Sequence, residues 1–249
     1  QAKGDTSPLL HNMMGATVAA YRQAKCASCL ECVGVAVEVF GPAQGLSASF
    51  GGLFGDVSGI SFQAVQASGV DAHPEVVAAY FDLAYRYLLF CPDAILAHPS
   101  FHGVLDLSLA CLPLKEKEPL RAVFVFLDRV TTTQSPHWEQ YAEAWFVSKG
   151  ADLFRGVIFA LSDTCPQEAL ARLSPLLFHL AARMGPQGEQ WIVAALSSPQ
   201  YPVPAAVLDD GAKHNFMQAM RNLGGAQRRF QAMVVDFANV CRRQNTADA

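Results

Sequence analysis

The chain is short of charge, and its Lys and Arg residues form no long run. Only 16% of its 249 residues are Asp, Glu, Lys or Arg, and the formal net charge is −4. The Lys and Arg residues form no basic stripe of the kind that binds a nucleic-acid backbone. We therefore expect no direct nucleic-acid binding. The apolar content of 51% is sufficient for a substantial buried core.

The sequence also has no membrane-spanning run and no secretory leader. Its longest apolar run, AAYFDLAYRYLLF, is interrupted by Asp82 and Arg86 and is shorter than the roughly 20 residues that cross a bilayer. Seven cysteines is an odd number, which together with the missing leader indicates reduced thiols in the cytoplasm or nucleus. Because Gln1 is followed almost at once by a helical pattern, we expect a piece of a longer protein.

Alternation of apolar and polar residues with a period of two is nearly absent, whereas apolar residues recur every three or four positions. This pattern predicts an all-α fold. Pro and Gly residues place the ends of the helices. The expected helices cover residues 7–22, 25–40, 46–67, 74–91, 94–112, 118–133, 137–161 with a break near Gly150, 166–184, 187–197, 212–223 and 226–243.

The predicted helices form a ladder of pairs. The helices that begin near residues 7, 46, 94, 137 and 187 each precede a second helix, at a spacing of roughly 40 to 50 residues. That spacing is typical of HEAT and armadillo solenoids, in which each hairpin buries its apolar faces against neighbouring hairpins. The sequence therefore predicts a HEAT-repeat (ARM-like) α-α superhelix, with residues 1–249 forming a single solenoid segment.

The stretch CASCLEC places Cys26, Cys29 and Cys32 at intervals of three residues. On a helix these side chains fan across about 120° of one face. A zinc or iron–sulfur site would need a fourth ligand and usually a second CxxC or an HxxxH pair, which the sequence does not contain. Small thiols packed between helices account for the same spacing. We expect no metal and no cofactor, and a helical metal or redox protein is the alternative.

No enzyme signature is present. The sequence contains neither a GxSxG elbow nor a P-loop with its Lys, and the glycines of SFGGLFGDVSG, residues 49–59, are interpreted as positions where two helices approach closely. His98 and His102 have Pro99 between them and no accompanying carboxylate pair, and His179 is isolated along the chain. The prediction is a binding protein rather than an enzyme.

Residues 73–130 resemble the C-terminal HEAT repeats of the transportin-SR (transportin 3) and importin 13 branch of the β-karyopherins. In that family a helix of the type HPDxVDDLFRLATRFI is followed by a Pro-ended turn, an apolar helix and a helix of the type SVMRFLRDLI. Here HPEVVAAYFDLAYRYLLF, a Cys-Pro turn, LDLSLAC and AVFVFLDRV stand in that order. The stretches at 29–41, CLECVGVAVEVFG, and at 216–244, which closes on VCRRQ, are similar to further helices of that family.

The resemblance implies the C-terminal part of a nuclear transport receptor that binds protein cargo and shuttles between cytoplasm and nucleus. The implied partners are cargo such as serine/arginine-rich splicing proteins, FG nucleoporins, and Ran-GTP, which releases the cargo. Ran-GTP would bind mainly through upstream repeats. The family's Arg-rich cargo helix would also lie before Gln1. No membrane insertion is implied. The alternatives are an exportin-type or bidirectional karyopherin, and a HEAT scaffold of another assembly such as a phosphatase or trafficking complex.

The inner surface of a HEAT array is lined by the second helix of each hairpin. Polar positions on those helices are therefore the predicted partner-binding residues, namely Glu31, Asp82, Arg86, Arg121, Asp128 and Arg129. The chain departs from the family on the helix that contains Arg121, Asp128 and Arg129. It has Val125 where the family has Arg, and the family's Arg-Asp order is reversed at Asp128-Arg129. Contacts of that helix are therefore not carried over from the family.

Overall fold

The computed structural model describes residues 7–43, 45–204, 206–221 and 227–242. Within these ranges the chain is helical and contains no β-strand, which confirms the all-α prediction. No helix of the described residues is long and apolar enough to cross a membrane. The α-helices are α1 (Ser7–Ala24), α2 (Ala27–Phe40), α3 (Ser47–Ser68), α4 (Pro74–Phe90), α5 (Pro92–Leu96), α6 (Ser100–Ala110), α7 (Lys117–Thr132), α8 (Pro136–Phe159), α9 (Leu170–Leu196), α10 (Asp210–Arg221) and α11 (Gln227–Arg242).

Proline begins several of these helices. Pro74, Pro92 and Pro136 occupy the first turns of α4, α5 and α8. The first helical residues have no intrahelical partner for their N–H groups, so the missing N–H of proline costs nothing there, and its fixed φ already suits a helix. These starts lie within two residues of the predicted ones.

The order of first and second helices follows the predicted ladder. In four pairs a first helix is followed by a second one: α1 by α2, α3 by α4, α5 with α6 by α7, and α8 by the first half of α9. Helix α9 is divided at Gly185, whose φ of 49° and ψ of −129° are not helical. A positive φ favours glycine, and Pro186 then opens the second half, residues 186–196. The fifth pair consists of this half with α10, followed by α11.

One compact unit spans residues 1–107. In it α2 lies alongside α4, and α1 lies alongside both α2 and α3. A Cβ at Gly34 of α2 would stand 3.0 Å from Cδ of Arg86, so the absent side chain allows α4 to approach closely. The space between α3 and α4 is filled by aromatic rings, and Phe54 meets Tyr87 edge-on with 5.1 Å between centroids. Burial of these rings is a main source of the unit's stability.

The second compact unit spans residues 108–249. Helix α9 is central, because α7, α8, α10 and α11 all pack against it. Trp191 in its second half packs on Gly150 of α8 and lies 5.6 Å from the ring of Phe154. A side chain at position 150 would collide with the indole ring, which explains why α8 keeps a glycine in its interior despite a cost of about 1 kcal/mol in helix propensity.

Two predictions about local structure are wrong, and a third, about the glycines of residues 49–59, holds only in part. Helix α8 runs through Gly150 without a break and ends in a π-helical turn, Ala160–Thr164, because tertiary packing compensates for the glycine. The single helix predicted over 94–112 is two helices, since Pro99 lies in the turn between α5 and α6 and its ring disfavours a continuous helix. In residues 49–59, Gly55 contacts the His98 ring, but Gly52 and Gly59 face open space rather than a neighbouring helix.

Candidate partner-binding site

The six predicted partner-binding residues all lie on second helices. Glu31 is on α2 and Asp82 and Arg86 are on α4, in the first unit; Arg121, Asp128 and Arg129 are on α7, in the second. Residues within each group share one unit, and each group is described separately below. Their locations agree with the order of the helix pairs, whereas their role in binding stays a prediction.

In the first unit, Arg86 forms an ion pair with another residue of the chain at the surface. Its guanidinium donates to the carboxylate of Glu38 on α2, and its aliphatic stem packs over Gly34. The pair links two neighbouring second helices, so Arg86 serves mainly to hold α2 and α4 together. Asp82 is half-buried and Glu31 is exposed on α2. Glu31 is the residue of this group that faces solvent most openly.

Arg121 makes a short-range contact in the second unit. Its Nε donates to Oε2 of Glu118 at 2.9 Å, one turn earlier on α7. This hydrogen bond, followed by the charge of the guanidinium, lowers the pKa of the Glu118 carboxyl. An exposed pair of this kind contributes little to stability.

Asp128 is paired with His179, which was interpreted from the sequence as an isolated histidine. Nδ1 of His179, in the first half of α9, lies 2.6 Å from Oδ1 of Asp128. A carboxylate only accepts hydrogen bonds, so the imidazole Nδ1–H donates. The two residues are 51 positions apart. The sequence did give one indication of this contact. Helices α7 and α9 are successive second helices, and this order places their polar faces side by side.

Arg183, one turn after His179, is the other functional candidate that sequence reasoning missed. It donates to the carbonyl oxygen of Thr131 at 3.1 Å and to Oε2 of Glu139 at 3.1 Å. Its guanidinium carbon also lies 5.0 Å above the ring of Phe146, which is a cation–π arrangement. Three helices thus meet at Arg183, and the side chain acts as a structural clamp beside Asp128.

Arg129 differs from its neighbours. Its side chain is half-buried, and its Nε is shielded from solvent and has no hydrogen-bond partner among the described residues. An unsatisfied donor of this kind costs free energy until it is paired. Because solvent does not reach this atom, a partner does not reach it either unless the side chain rearranges. Arg129 takes part in none of the ion pairs described above, and its role in binding a partner stays a prediction.

A groove of about 770 Å³ lies between α1 and α3 in the first unit. Apolar side chains, among them Leu10, Met14 and Leu53, line it, and Arg22 and Asp56 are polar residues of its lining. The glycines of both helices keep it open, because a Cβ at Gly15 or at Gly52 would meet no atom within 4 Å. The signal for this groove in the sequence was the group of GLFG-type glycines on an apolar helix, which had been interpreted as positions of close helix packing.

The cysteine triplet is not buried between helices, which corrects the interpretation from its spacing. Cys26 lies outside the helix, with φ −90° and ψ 141°, immediately before α2. Cys26 and Cys29 are half-buried and Cys32 is exposed. In the part of the chain that the structure describes, no group of three or more His, Cys, Asp or Glu side chains is placed to hold a metal ion.

Comparison with known proteins finds likeness to a transportin in sequence and to an importin in structure. No protein-family model matches the chain. Over 183 residues, which are 71% of the chain, it is 24% identical to Transportin MOS14 of Arabidopsis thaliana. The chain spans 19% of that relative's length, about a fifth. It also superimposes on the solved structure of importin 13 in its cytosolic state, with a TM-score of 0.80 and 14% identity, over 96% of this chain and 27% of that one.

The fold is that of an importin solenoid. The all-α HEAT-repeat class predicted from the sequence is therefore confirmed. Taken together, the sequence likeness to a transportin and the structural likeness to an importin support a karyopherin-β-like HEAT-repeat fragment.

Proposed function

We propose that this chain is the C-terminal segment of a nuclear transport receptor of the transportin-SR and importin 13 kind, and that it contributes to cargo binding during protein import. The observation that carries the proposal is the sequence likeness to a transportin over 71% of the chain. The solenoid fold supports it. In this proposal the protein works by binding rather than catalysis, and it shuttles between cytoplasm and nucleus.

Cargo binds the polar surface of the second helices. A HEAT array spreads small adjustments over many hairpin interfaces and so adapts to partners of different shape. Glu31 and Arg129 carry charges of opposite sign, and neither side chain takes part in the internal ion pairs described above. Serine/arginine-rich splicing proteins are the proposed cargo class, and Ran-GTP, bound mainly through upstream repeats, releases them.

The groove between α1 and α3 is the proposed contact for FG nucleoporins. Its apolar lining and its volume of about 770 Å³ are ample for a phenylalanine ring, and it is open to solvent. Burying one phenylalanine side chain contributes roughly 1.5–3 kcal/mol before the cost of ordering the peptide. Such contacts are weak individually, which suits rapid passage through a pore lined with many repeats.

Filling this groove is expected to weaken FG binding. In the variant Gly52→Leu a leucine side chain enters open groove space, and we expect the affinity for an immobilised phenylalanine–glycine repeat domain to fall about tenfold, which corresponds to about 1.4 kcal/mol. Surface plasmon resonance measures the affinity. Helix α3 should not be destabilised, since leucine is the better helix former by roughly 0.8–1 kcal/mol.

Gly59→Leu is the matched control for Gly52→Leu. Gly59 is on the same helix and also faces open space, but it does not line the groove. The control should bind the repeat domain as the unchanged chain does. Equal affinity of all three proteins would remove the groove from the proposal.

The receptor proposal is tested by a pull-down from nuclear extract with the full-length protein containing this chain as bait. We expect excess Ran-GTP to displace bound proteins, with serine/arginine-rich splicing proteins among them, and Ran-GDP to displace few. Mass spectrometry quantifies the bound fraction. Tighter binding with Ran-GTP would indicate an exportin instead. Binding that is indifferent to Ran would leave a HEAT scaffold and contradict the transport function.

A further inference from the structure

Two thiols at the turn between α1 and α2 are close enough to react with each other. Sγ of Cys26 lies 3.1 Å from Sγ of Cys29. Cys26 has an extended backbone immediately before the helix, whereas Cys29 lies in its first turn, and both side chains are half-buried. A disulfide bond is about 2.05 Å long, so closing this pair requires the sulfur atoms to approach by only about 1 Å. Rotation about the two Cα–Cβ bonds supplies movements of that size.

The surroundings distinguish the two sulfurs. Hydrogen bonds from the Cys29 thiol and from the Cys29 backbone N–H lower the pKa of Cys26. Burial, and then the neighbouring Cys26 sulfur, raise the pKa of Cys29 to about 11. Cys26 is therefore the thiol that loses its proton first, and Cys29 keeps its proton to stabilise the thiolate. The thiolate is the nucleophilic form of cysteine, so the geometry assigns the first reaction to Cys26.

Four of the other cysteines differ from this pair. Cys91, Cys165 and Cys241 are buried, and burial raises the pKa of each. Cys32 is exposed one turn after Cys29, and its sulfur lies 3.9 Å from the Thr17 hydroxyl. Oxidation selects thiols that are both accessible and thiolate-like, so it should favour Cys26 over the buried ones.

We propose that Cys26 and Cys29 are a peroxide-sensitive dithiol that closes to a reversible disulfide. The Cys26 thiolate attacks one oxygen of hydrogen peroxide, the O–O bond breaks, and hydroxide leaves to become water while Cys26 becomes a sulfenic acid. The Cys29 sulfur then attacks the Cys26 sulfur, the S–O bond breaks, and the departing hydroxide takes the Cys29 proton as a second water. Two thiols lose two electrons to the peroxide, and excess glutathione reverses the step by thiol–disulfide exchange.

Peptide mapping of the peroxide-treated chain tests the proposal. Cleavage after Lys25 and after Glu31 releases residues 26–31, CASCLE, which contain Cys26 and Cys29 but not Cys32. After peroxide and then N-ethylmaleimide, we expect this peptide to be unalkylated and lighter than the reduced peptide by about 2 Da, the two hydrogens lost. Treatment with glutathione after the peroxide and before N-ethylmaleimide should restore both alkylation sites. A peptide that stays doubly alkylated, or a bridge that includes Cys32, would overturn the proposal.

Serine variants identify the order of the two steps. In Cys29→Ser, the sulfenic acid at Cys26 has no resolving thiol, and we expect dimedone to trap it there. In Cys26→Ser, labelling of Cys29 should be at least about tenfold slower, because its thiol is mostly protonated. Cys32→Ser is the matched control and should close the Cys26–Cys29 bridge at the normal rate. Faster labelling at Cys29 than at Cys26 would contradict the mechanism, and circular dichroism confirms that each variant is folded.

Discussion

Replacing Phe54 with alanine is expected to lower the free energy of unfolding of the first unit by about 3–5 kcal/mol. The Phe54 side chain is 0% exposed and is a central ring of the cluster between α3 and α4. It meets Tyr87 edge-on at 5.1 Å and the imidazole of His98 edge-on at 5.6 Å. Removing it forfeits the burial of the ring and leaves a cavity that the long α3 and α4 helices cannot collapse into without losing their other contacts.

Hydrogen exchange locates this loss. We expect amides of α3 and α4 to exchange about two to three and a half orders of magnitude faster in Phe54→Ala, as a destabilisation of that size implies. Urea unfolding followed by circular dichroism measures the free energy. Leu9→Ala is the control, because Leu9 is 72% exposed on α1 and its truncation should change stability by no more than about 0.5 kcal/mol. Similar exchange in the two variants would show that Phe54 is not part of the core.

Reversing the charge at Arg129 is expected to weaken cargo binding about 30-fold, near 2 kcal/mol. This expectation rests on the proposed function. The Arg129 side chain is half-buried and takes part in none of the ion pairs described above, so a partner's carboxylate would gain a charge-assisted contact with the exposed part of its guanidinium. Glutamate at the same position would instead repel that oxygen. Arg129→Lys keeps the charge but loses the planar fork, and its loss should be intermediate.

Affinity measurements on cargo recovered in the pull-down test this expectation. Arg155→Glu is the matched control, since Arg155 is exposed on the first helix of its pair and its side chain bonds to Asp152, one turn away. It should bind cargo normally. Equal losses in Arg129→Glu and Arg155→Glu would indicate a general charge effect, and no loss in either would remove α7 from the cargo surface. Unchanged thermal unfolding of the variants excludes misfolding.

The sequence predicted the helices well where periodicity and proline agreed. The helix expected over 74–91 is Pro74–Phe90, and the one expected over 118–133 is Lys117–Thr132. Each has a proline near its start and an apolar face with a helical repeat. Both signals come from residues that are close together in the sequence. Prediction failed at Gly150, where the packing of Trp191 from a distant helix outweighs a local preference.

The candidate site was predicted less completely. The order of helix pairs placed all six residues on second helices, but it could not show that Asp128 contacts His179 or that Arg86 contacts Glu38. Each of these contacts depends on how far one helix is rotated and shifted against its neighbour. Many side chains set that rotation together, and no short window of sequence contains them.

The sequence by itself therefore determined the all-α class, the positions of most helices and their order in pairs, because helical periodicity and proline chemistry act between residues a few positions apart. The tertiary structure alone decided which charges are paired within the chain, that the Nε of Arg129 has no hydrogen-bond partner in the described ranges, and where the α1–α3 groove opens. It also placed Cys26 outside the helix, with its sulfur atom 3.1 Å from the sulfur atom of Cys29. These features arise from interhelical register, which only the simultaneous packing of several helices defines.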